Sequence, residues 1–424
     1  MAIGVRERLD VREARSRFPG LSGLAFLDAA CVSLAPRPAL DAVGDFLSMA
    51  ATCEERDASL HHVAMDRLRG RAVREGAALL GAAEDEIALV ESTTHGLNIA
   101  AQTIPFEPGD NVVIADLEFL QVAIPWVKLR EKGAITEVRM ARNVDGALPV
   151  ASFAEVVDAH TKAVVVSSVQ WCNGYRVDLS ALGRLCRDCG SLLVVDAIQE
   201  LGALALDVRR TEIDLLVAGG HKWLNSPFGC GLLYLNRKTL PMLDQASWGY
   251  LGLAEPKGGW PRYFATPTIT PVRQYEFPRV AKSFEINGTA NYPGAVALGA
   301  SLGLVNAIGI GQVEARVLGL AAFSRRSSTG SACASSPIPR TASAPGSRRS
   351  RSPTIPARTR RSSSACSTHA STCRSATPRA SAESASRRTT STTSPISRHY
   401  SAWCGASPSG GAHAAEHIAR SWGR

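Results

Sequence analysis

Two short runs, AVVVSSV at residues 163–169 and SLLVVD at 191–196, restrict the fold more than any other part of the chain. Both are apolar at consecutive positions rather than at alternate ones. A strand with one wet face alternates, whereas one that is apolar throughout must be covered on both faces, as in a parallel sheet between layers of helices. From Ala25 to about Arg237 such runs alternate with helical stretches. Strands are predicted at 86–90, 111–115, 163–169, 191–196, 214–218 and 231–235, and helices at 96–103, 122–132 and 179–189. The reading is an open α/β domain, whose ligands bind beyond the carboxyl ends of the strands. At 424 residues there is room for a second, smaller domain. A Pro- and aromatic-containing stretch at 260–284 and a turn followed by two apolar helices at 285–323 are expected to lead into it. The expected organisation is therefore an N-terminal segment (1–24), a large α/β domain (25–284), the start of a small α+β domain (285–323) and a distinct tail (324–424).

The formal charge of +9 suggests a nucleic-acid partner until it is located. Residues 324–424 hold 16 arginines, no lysine and two acids, Glu383 and Glu416, for a net +14. Residues 1–323 therefore carry −5, and the body is an ordinary mildly acidic protein for which nucleic acid is not an expected partner. The first residues, MAIGVRERLDVREARSRF, have no apolar core of signal-peptide length, and no apolar run reaches about 18 residues. Six cysteines (Cys31, Cys53, Cys172, Cys186, Cys189, Cys230) are scattered through apolar segments of the body, which fits a reducing cytoplasm. Cys186 and Cys189 form a C-x-x-C without a second pair at zinc spacing, so packing is expected there and no metal.

Asp196 closes the run LLVVD, and Lys222 follows 26 residues later in AGGHKWLNSPFGCGLLY. Both fall at predicted strand ends. A lysine in an apolar setting behind Gly219 and Gly220 is suited to Schiff-base chemistry with an aldehyde. Asp196 could simply cap a helix beginning at Ala197, but a buried carboxylate also needs a cationic partner, and a protonated pyridine nitrogen provides one. Pyridoxal 5'-phosphate (PLP) uses both groups. Two further pieces fit. In ESTTHGLNIAAQ (91–102) a strand runs into hydroxyl residues and a helix start, the arrangement that cradles a phosphate. In ADLEFLQVAIPW, Phe119 stands just past a strand end, where an aromatic ring can stack on a pyridine.

With these pieces in this order, residues 20–320 resemble the class V aminotransferase group of fold-type I PLP enzymes, which also contains cysteine desulfurases, kynureninases and isopenicillin N epimerase-like proteins. The resemblance implies that Lys222 carries the cofactor and shuttles the proton, that Asp196 pairs the ring nitrogen and that His221 helps anchor the phosphate. It places Thr93 and Thr94 on the phosphate, Phe119 in the stacking position often held by histidine, and Gln199 near the phenolic oxygen or phosphate. Gln170 and Asn173, in VQWCNGYR, both stand where the family contacts the ring hydroxyl. Thr289, in NGT, resembles a residue that reaches the phosphate of a partner subunit, so a homodimer is implied. The substrate implied is an amino acid. Transamination is expected, with epimerisation or desulfurase or C–S lyase chemistry as alternatives, and an impaired PLP-binding remnant with a basic tail as a reading from another class.

The tail conflicts with all of this. Residues 324–424 contain 26 serines and 11 threonines but no leucine, valine or phenylalanine, so they cannot bury enough apolar surface to offset their ordering entropy. Such a segment is either a natural Ser/Arg-rich disordered extension or the product of a shifted reading frame, and the second is the sharper expectation. One GC-rich back-translation of residues 383–403, read from its third base, encodes IRVSPHYFNDLADIEALLGV, an amphipathic globular ending. That string resembles the family's C-terminal segment, in which an arginine two residues before a serine binds the substrate carboxylate. In the frame as written that arginine is missing, and the chain is expected to turn over amino acids poorly.

Overall fold

The computed structural model describes residues 10–265 and 270–330, the last five by backbone alone. The chain divides into two units, Met1–Pro337 and Ile338–Arg424, and the first is the one described. From residue 331 onward, the expected tail lies outside the described residues.

Eleven α-helices and seven strands are present among the described residues. In chain order they are α1 (Val11–Ser16), α2 (Arg37–Ala51), α3 (Ala58–Leu80), β1 (Ile87–Val90), α4 (Thr93–Thr103), β2 (Asn111–Ala115), α5 (Leu120–Glu131) and β3 (Glu137–Ala141). Then come α6 (Val150–Ala154), β4 (Thr161–Ser167), α7 (Leu179–Cys189), β5 (Leu192–Asp196), α8 (Val208–Thr211), β6 (Leu215–Gly219) and β7 (Gly231–Leu235), followed by α9 (Gly259–Phe264), α10 (Tyr292–Ile308) and α11 (Ile310–Gly330). The seven strands form one sheet in the order β1-β7-β6-β5-β4-β2-β3. Only β7 runs against its neighbours; the other six point the same way and end at a common edge.

The apolar runs explain themselves once the two faces are separated. Val164, Val166, Leu193, Val195, Leu216 and Ala218 enter one core. Their immediate neighbours Ala163, Val165, Leu192, Val194, Leu215 and Val217 enter another. Successive side chains of a strand point to opposite faces, so two buried faces demand an unbroken apolar sequence. On the first face α10 contributes Ala295, Leu298, Leu302 and Val305 beside Ala72, Leu79 and Leu80 of α3, in the same core as the sheet. β3 was not foreseen. It is one of the two edge strands, with Glu137 and Arg139 ion-paired on partly exposed positions, so its sequence reads as polar.

Helix α4 begins three residues before the predicted start because Ser92 caps it: its Oγ accepts the N–H of His95 at 3.1 Å. The helix lies close against β6. A Cβ on Gly96 would stand 2.4 Å from Cγ1 and 2.9 Å from Cγ2 of Val217. Gly96→Ala is expected to destabilise the protein by about 1–3 kcal/mol through overpacking. A denaturant midpoint equal to that of the wild type would show this contact to be slack.

Candidate active site

Strand β6 delivers Lys222 through a short turn closed by three backbone hydrogen bonds. Gly220 donates its N–H to the carbonyl of Cys230, Ser226 to that of Gly220 and Asn225 to that of Lys222, each at 2.9 Å. Asn225 adopts φ +56°, in the left-handed region that asparagine tolerates better than most residues. The N-terminal segment crosses this turn, with Ser33 donating its N–H to the carbonyl of His221 at 2.8 Å. The His221 ring stacks on Phe228, with centroids 4.7 Å apart and planes within 19°. Burial, then the charge of Lys222, lowers the His221 pKa.

Asp196 ends the adjacent strand, paired in register with Val217 of β6 and Ser167 of β4. It is only 4% exposed. Its side chain accepts the N–H of Ile198 at 3.0 Å, closing a turn; no α-helix follows, so the helix-cap reading of Asp196 does not hold. Burial pushes its carboxyl up to about 7, opposed by the Ile198 bond, reinforced by the negative charge of Glu118 and eased by Lys222. A carboxylate this deeply buried, with only a lysine charge to ease it, is a place for a further cation.

The start of α4 lies at the same edge. Thr93 Oγ1 accepts the N–H of Gly219 at 2.9 Å, tying the helix start to the lysine turn. A Cβ on Gly219 would lie 3.1 Å from Thr93 Oγ1 and 3.2 Å from the His221 ring, so these two side chains flank one glycine. Thr94 is exposed beside them, and the first N–H groups of the helix have no intrahelical acceptor.

Other predicted residues differ in what their polar atoms do. Gln199 is engaged at both ends of its amide: Nε2 donates to the carbonyl of Ala30 at 3.1 Å, and Oε1 accepts Trp223 Nε1–H at 2.9 Å. Asn173 is engaged likewise, donating to the carbonyl of Gly146 at 2.7 Å and accepting the N–H of Tyr175 at 2.9 Å. Gln170 is buried, and its Oε1 has no hydrogen-bond partner among the described residues. Phe119 precedes α5, is 48% exposed and meets the Trp171 ring edge-on at 5.7 Å. Thr289 is exposed on the loop before α10.

Glu118 was missed in the sequence. Its carboxylate accepts the N–H of Ser167 at 2.8 Å, the hydroxyl of Ser167 and the Nε2–H of Gln170 at 2.9 Å. Burial raises its pKa against these three bonds. The signal available was its place: a carboxylate directly before Phe119, at the end of an apolar strand.

The residues at this edge fit PLP on grounds the structure itself supplies. There is a buried carboxylate short of a cation, a nearby lysine amine, a helix start with free N–H groups, and a buried amide oxygen without a partner. The model of the aminotransferase class-V family matches residues 25–326. The chain belongs to the class V aminotransferase family. As such it is a PLP-dependent enzyme of fold type I. Among curated relatives, this class V chain is 29% identical over 304 residues to a probable cysteine desulfurase of Methanothermobacter thermautotrophicus, covering 71% of this chain and 72% of the relative. It is 28% identical over 243 residues to the uncharacterized aminotransferase YcbU of Bacillus subtilis, covering 57% and 60%. Among solved structures, the apo cysteine desulfurase of Thermococcus onnurineus NA1 superposes with a TM-score of 0.64 at 23% identity, covering 76% of each chain. A C-DES mutant with Gly covalently linked to its PLP cofactor gives 0.62 at 22% identity, covering 72% of this chain and 76% of that one. No single helix among the described residues is long and apolar enough to cross a membrane.

Proposed function

We propose that this enzyme converts an amino acid at its Cα by transamination, with Lys222 as the residue that carries PLP. The observation that supports this most is the placement of Lys222 and Asp196 at the ends of adjacent parallel strands, close enough for the lysine charge to act on the carboxylate. When bound, PLP supplies an electron sink for the carbanion formed at Cα. The work of the chain is then divided. Asp196 balances a ring cation. Thr93, Thr94 and His221 would hold the phosphate at the start of α4, and Phe119 would stack on the ring. Lys222 removes and returns the Cα proton. Of the two candidates for the ring hydroxyl, Gln170 is preferred over Asn173, whose amide is spent within its own loop. Gln199 acts by holding Trp223 beside Lys222. Thr289 would serve a partner subunit, which makes the working form a homodimer, and the cytoplasm is its expected compartment.

The names of several relatives favour a second reading, cysteine desulfurase or C–S lyase. A persulfide-forming enzyme needs a reactive thiol. Cys230 is buried, with its thiol pushed up to about 12 by burial, so it is unsuited. Cys172 is exposed on the loop after β4. Assays with amino donors and a 2-oxo acid acceptor, run beside assays with cysteine, separate the two. We expect 2-oxo acid formation without sulfide; sulfide release that disappears in Cys172→Ser would establish the second reading instead.

The frameshift reading of the tail gains support from where the family match stops. It ends at residue 326, two residues past the compositional break at 324. The aligned curated relative extends beyond the matched part, which is 72% of its length. The segment expected to carry the arginine for the substrate carboxylate is the one that the tail would encode in the shifted frame.

A further inference from the structure

We propose that a cavity at the opposite end of the sheet from Lys222, walled by Tyr234, Arg209 and Lys238, is a second binding site, and that it takes a small oxyanion, the phosphate or carboxylate group of a metabolite. The proposal stands apart from the PLP reading, since none of these residues lies at the cofactor edge.

Three observations carry it. The first is the place. Strand β7 runs against β6, pairing Tyr234 with Leu216 and Leu235 with Leu215, so β7 ends where β6 begins, whereas Lys222 follows the far end of β6. Around the starts of β5 and β6 and the end of β7 lies a cavity of about 600 Å³, a size that suits a small molecule. The second is Tyr234. It lines this cavity and is 3% exposed, and the part left open includes a hydroxyl that has no hydrogen-bond partner among the described residues. A buried phenol ordinarily finds a partner, and this one meets only the cavity. Burial, then the charges of Glu86 and Asp214, raises its pKa against the charge of the neighbouring Arg209, so it keeps its proton and can donate. The third is the balance of donors and acceptors. The acids here are occupied. Glu86 accepts the N–H groups of Ala83 and Arg237 at 2.9 and 3.1 Å. Asp214 accepts the N–H of Leu193 at 2.8 Å and the hydroxyl of Thr239, and Glu212 pairs with Arg187. The guanidinium of Arg209 spends only Nε, on the carbonyl of Gly81, and neither Arg209 nor Lys238 makes an ion pair among the described residues. What is left over is a phenol, a guanidinium edge and an ammonium, all of them donors. A ligand that satisfies them brings acceptor oxygens and negative charge.

Calorimetric titration of the full PLP-loaded chain with inorganic phosphate and, separately, with succinate tests this while the cofactor edge is filled. We expect one saturable site per chain, and the probe that binds more tightly names the source of the oxyanion. Tyr234→Phe removes the hydroxyl but leaves the ring in the core, and Arg209→Gln removes a charge from an exposed position. Each should weaken binding about tenfold, the equivalent of one charge-assisted hydrogen bond, with no loss of melting temperature in the absence of anion. Saturable binding of neither probe, or an affinity unchanged in either variant, would overturn the proposal. So would a loss of affinity in Thr94→Ala with none in Tyr234→Phe, which would put the anion at the cofactor edge. Should the chain take up no PLP, the cofactor reading fails by itself, and the same titration of the unloaded wild type and Tyr234→Phe still decides this one.

Discussion

Restoring the reading frame from codon 324 is expected to raise kcat/KM for the amino-acid substrate by about 10²- to 10⁴-fold over the chain as written. The magnitude follows from the contact that such a shift would remove. A bidentate arginine–carboxylate pair makes two charge-assisted hydrogen bonds, each contributing about 1.5–3 kcal/mol. Each 1.4 kcal/mol lost from transition-state binding is about tenfold in rate. An amino acid has few other handles, so this pair also sets which Cα bond stands ready to break. Most residues assigned to the cofactor lie between Thr93 and Lys222, within the matched region, so the two chains should load PLP to similar extents while differing in turnover. Parallel kinetics on the two purified proteins, normalised to bound PLP, make the comparison. Equal kcat/KM would mean that the substrate carboxylate is held from within residues 25–326.

Asp196→Ala is expected to lower turnover by about 10²- to 10⁴-fold, because breaking one side of a buried ion pair costs about 3–5 kcal/mol. The buried carboxyl at the end of β5 also leaves a mark on the cofactor-free protein. It titrates at about 7 in the folded state against an ordinary 3.8. Between those values the folded chain holds a proton that the unfolded chain has released. Stability is therefore greatest below the unfolded value and falls as pH rises toward the folded one, by up to about 4 kcal/mol. Asp196→Asn removes that fall. Melting of the two cofactor-free proteins should coincide near about pH 4 and diverge by about pH 8, with the variant the more stable. Parallel melting curves across that range would mean that the carboxylate is already compensated in the free protein.

The legible parts of this molecule were those where one physical demand acts alone. Strands β4 and β5 must be apolar on both faces, and their sequences admit no other reading. Asp196 and Lys222 could be placed at strand ends because the strands themselves were legible. Edge strand β3 could not be read, since it is half wet and its Glu137–Arg139 pair looks like a loop. The choice between Gln170 and Asn173 was equally closed to the sequence. Both are amides on one loop, and only the bonds that each amide makes in three dimensions tell them apart. Glu118 was hidden for a related reason. A single carboxylate past a strand end is ordinary in sequence, and its importance comes from Ser167 and Gln170, some fifty residues away.

Reduction of the PLP-loaded protein with borohydride, followed by peptide mapping, tests the assignment of the cofactor-bearing amine most directly. The account predicts one pyridoxyl group per chain, on the peptide containing Lys222, and its disappearance in Lys222→Ala. A label on another lysine, or bound cofactor that leaves Lys222 unmodified, would contradict it.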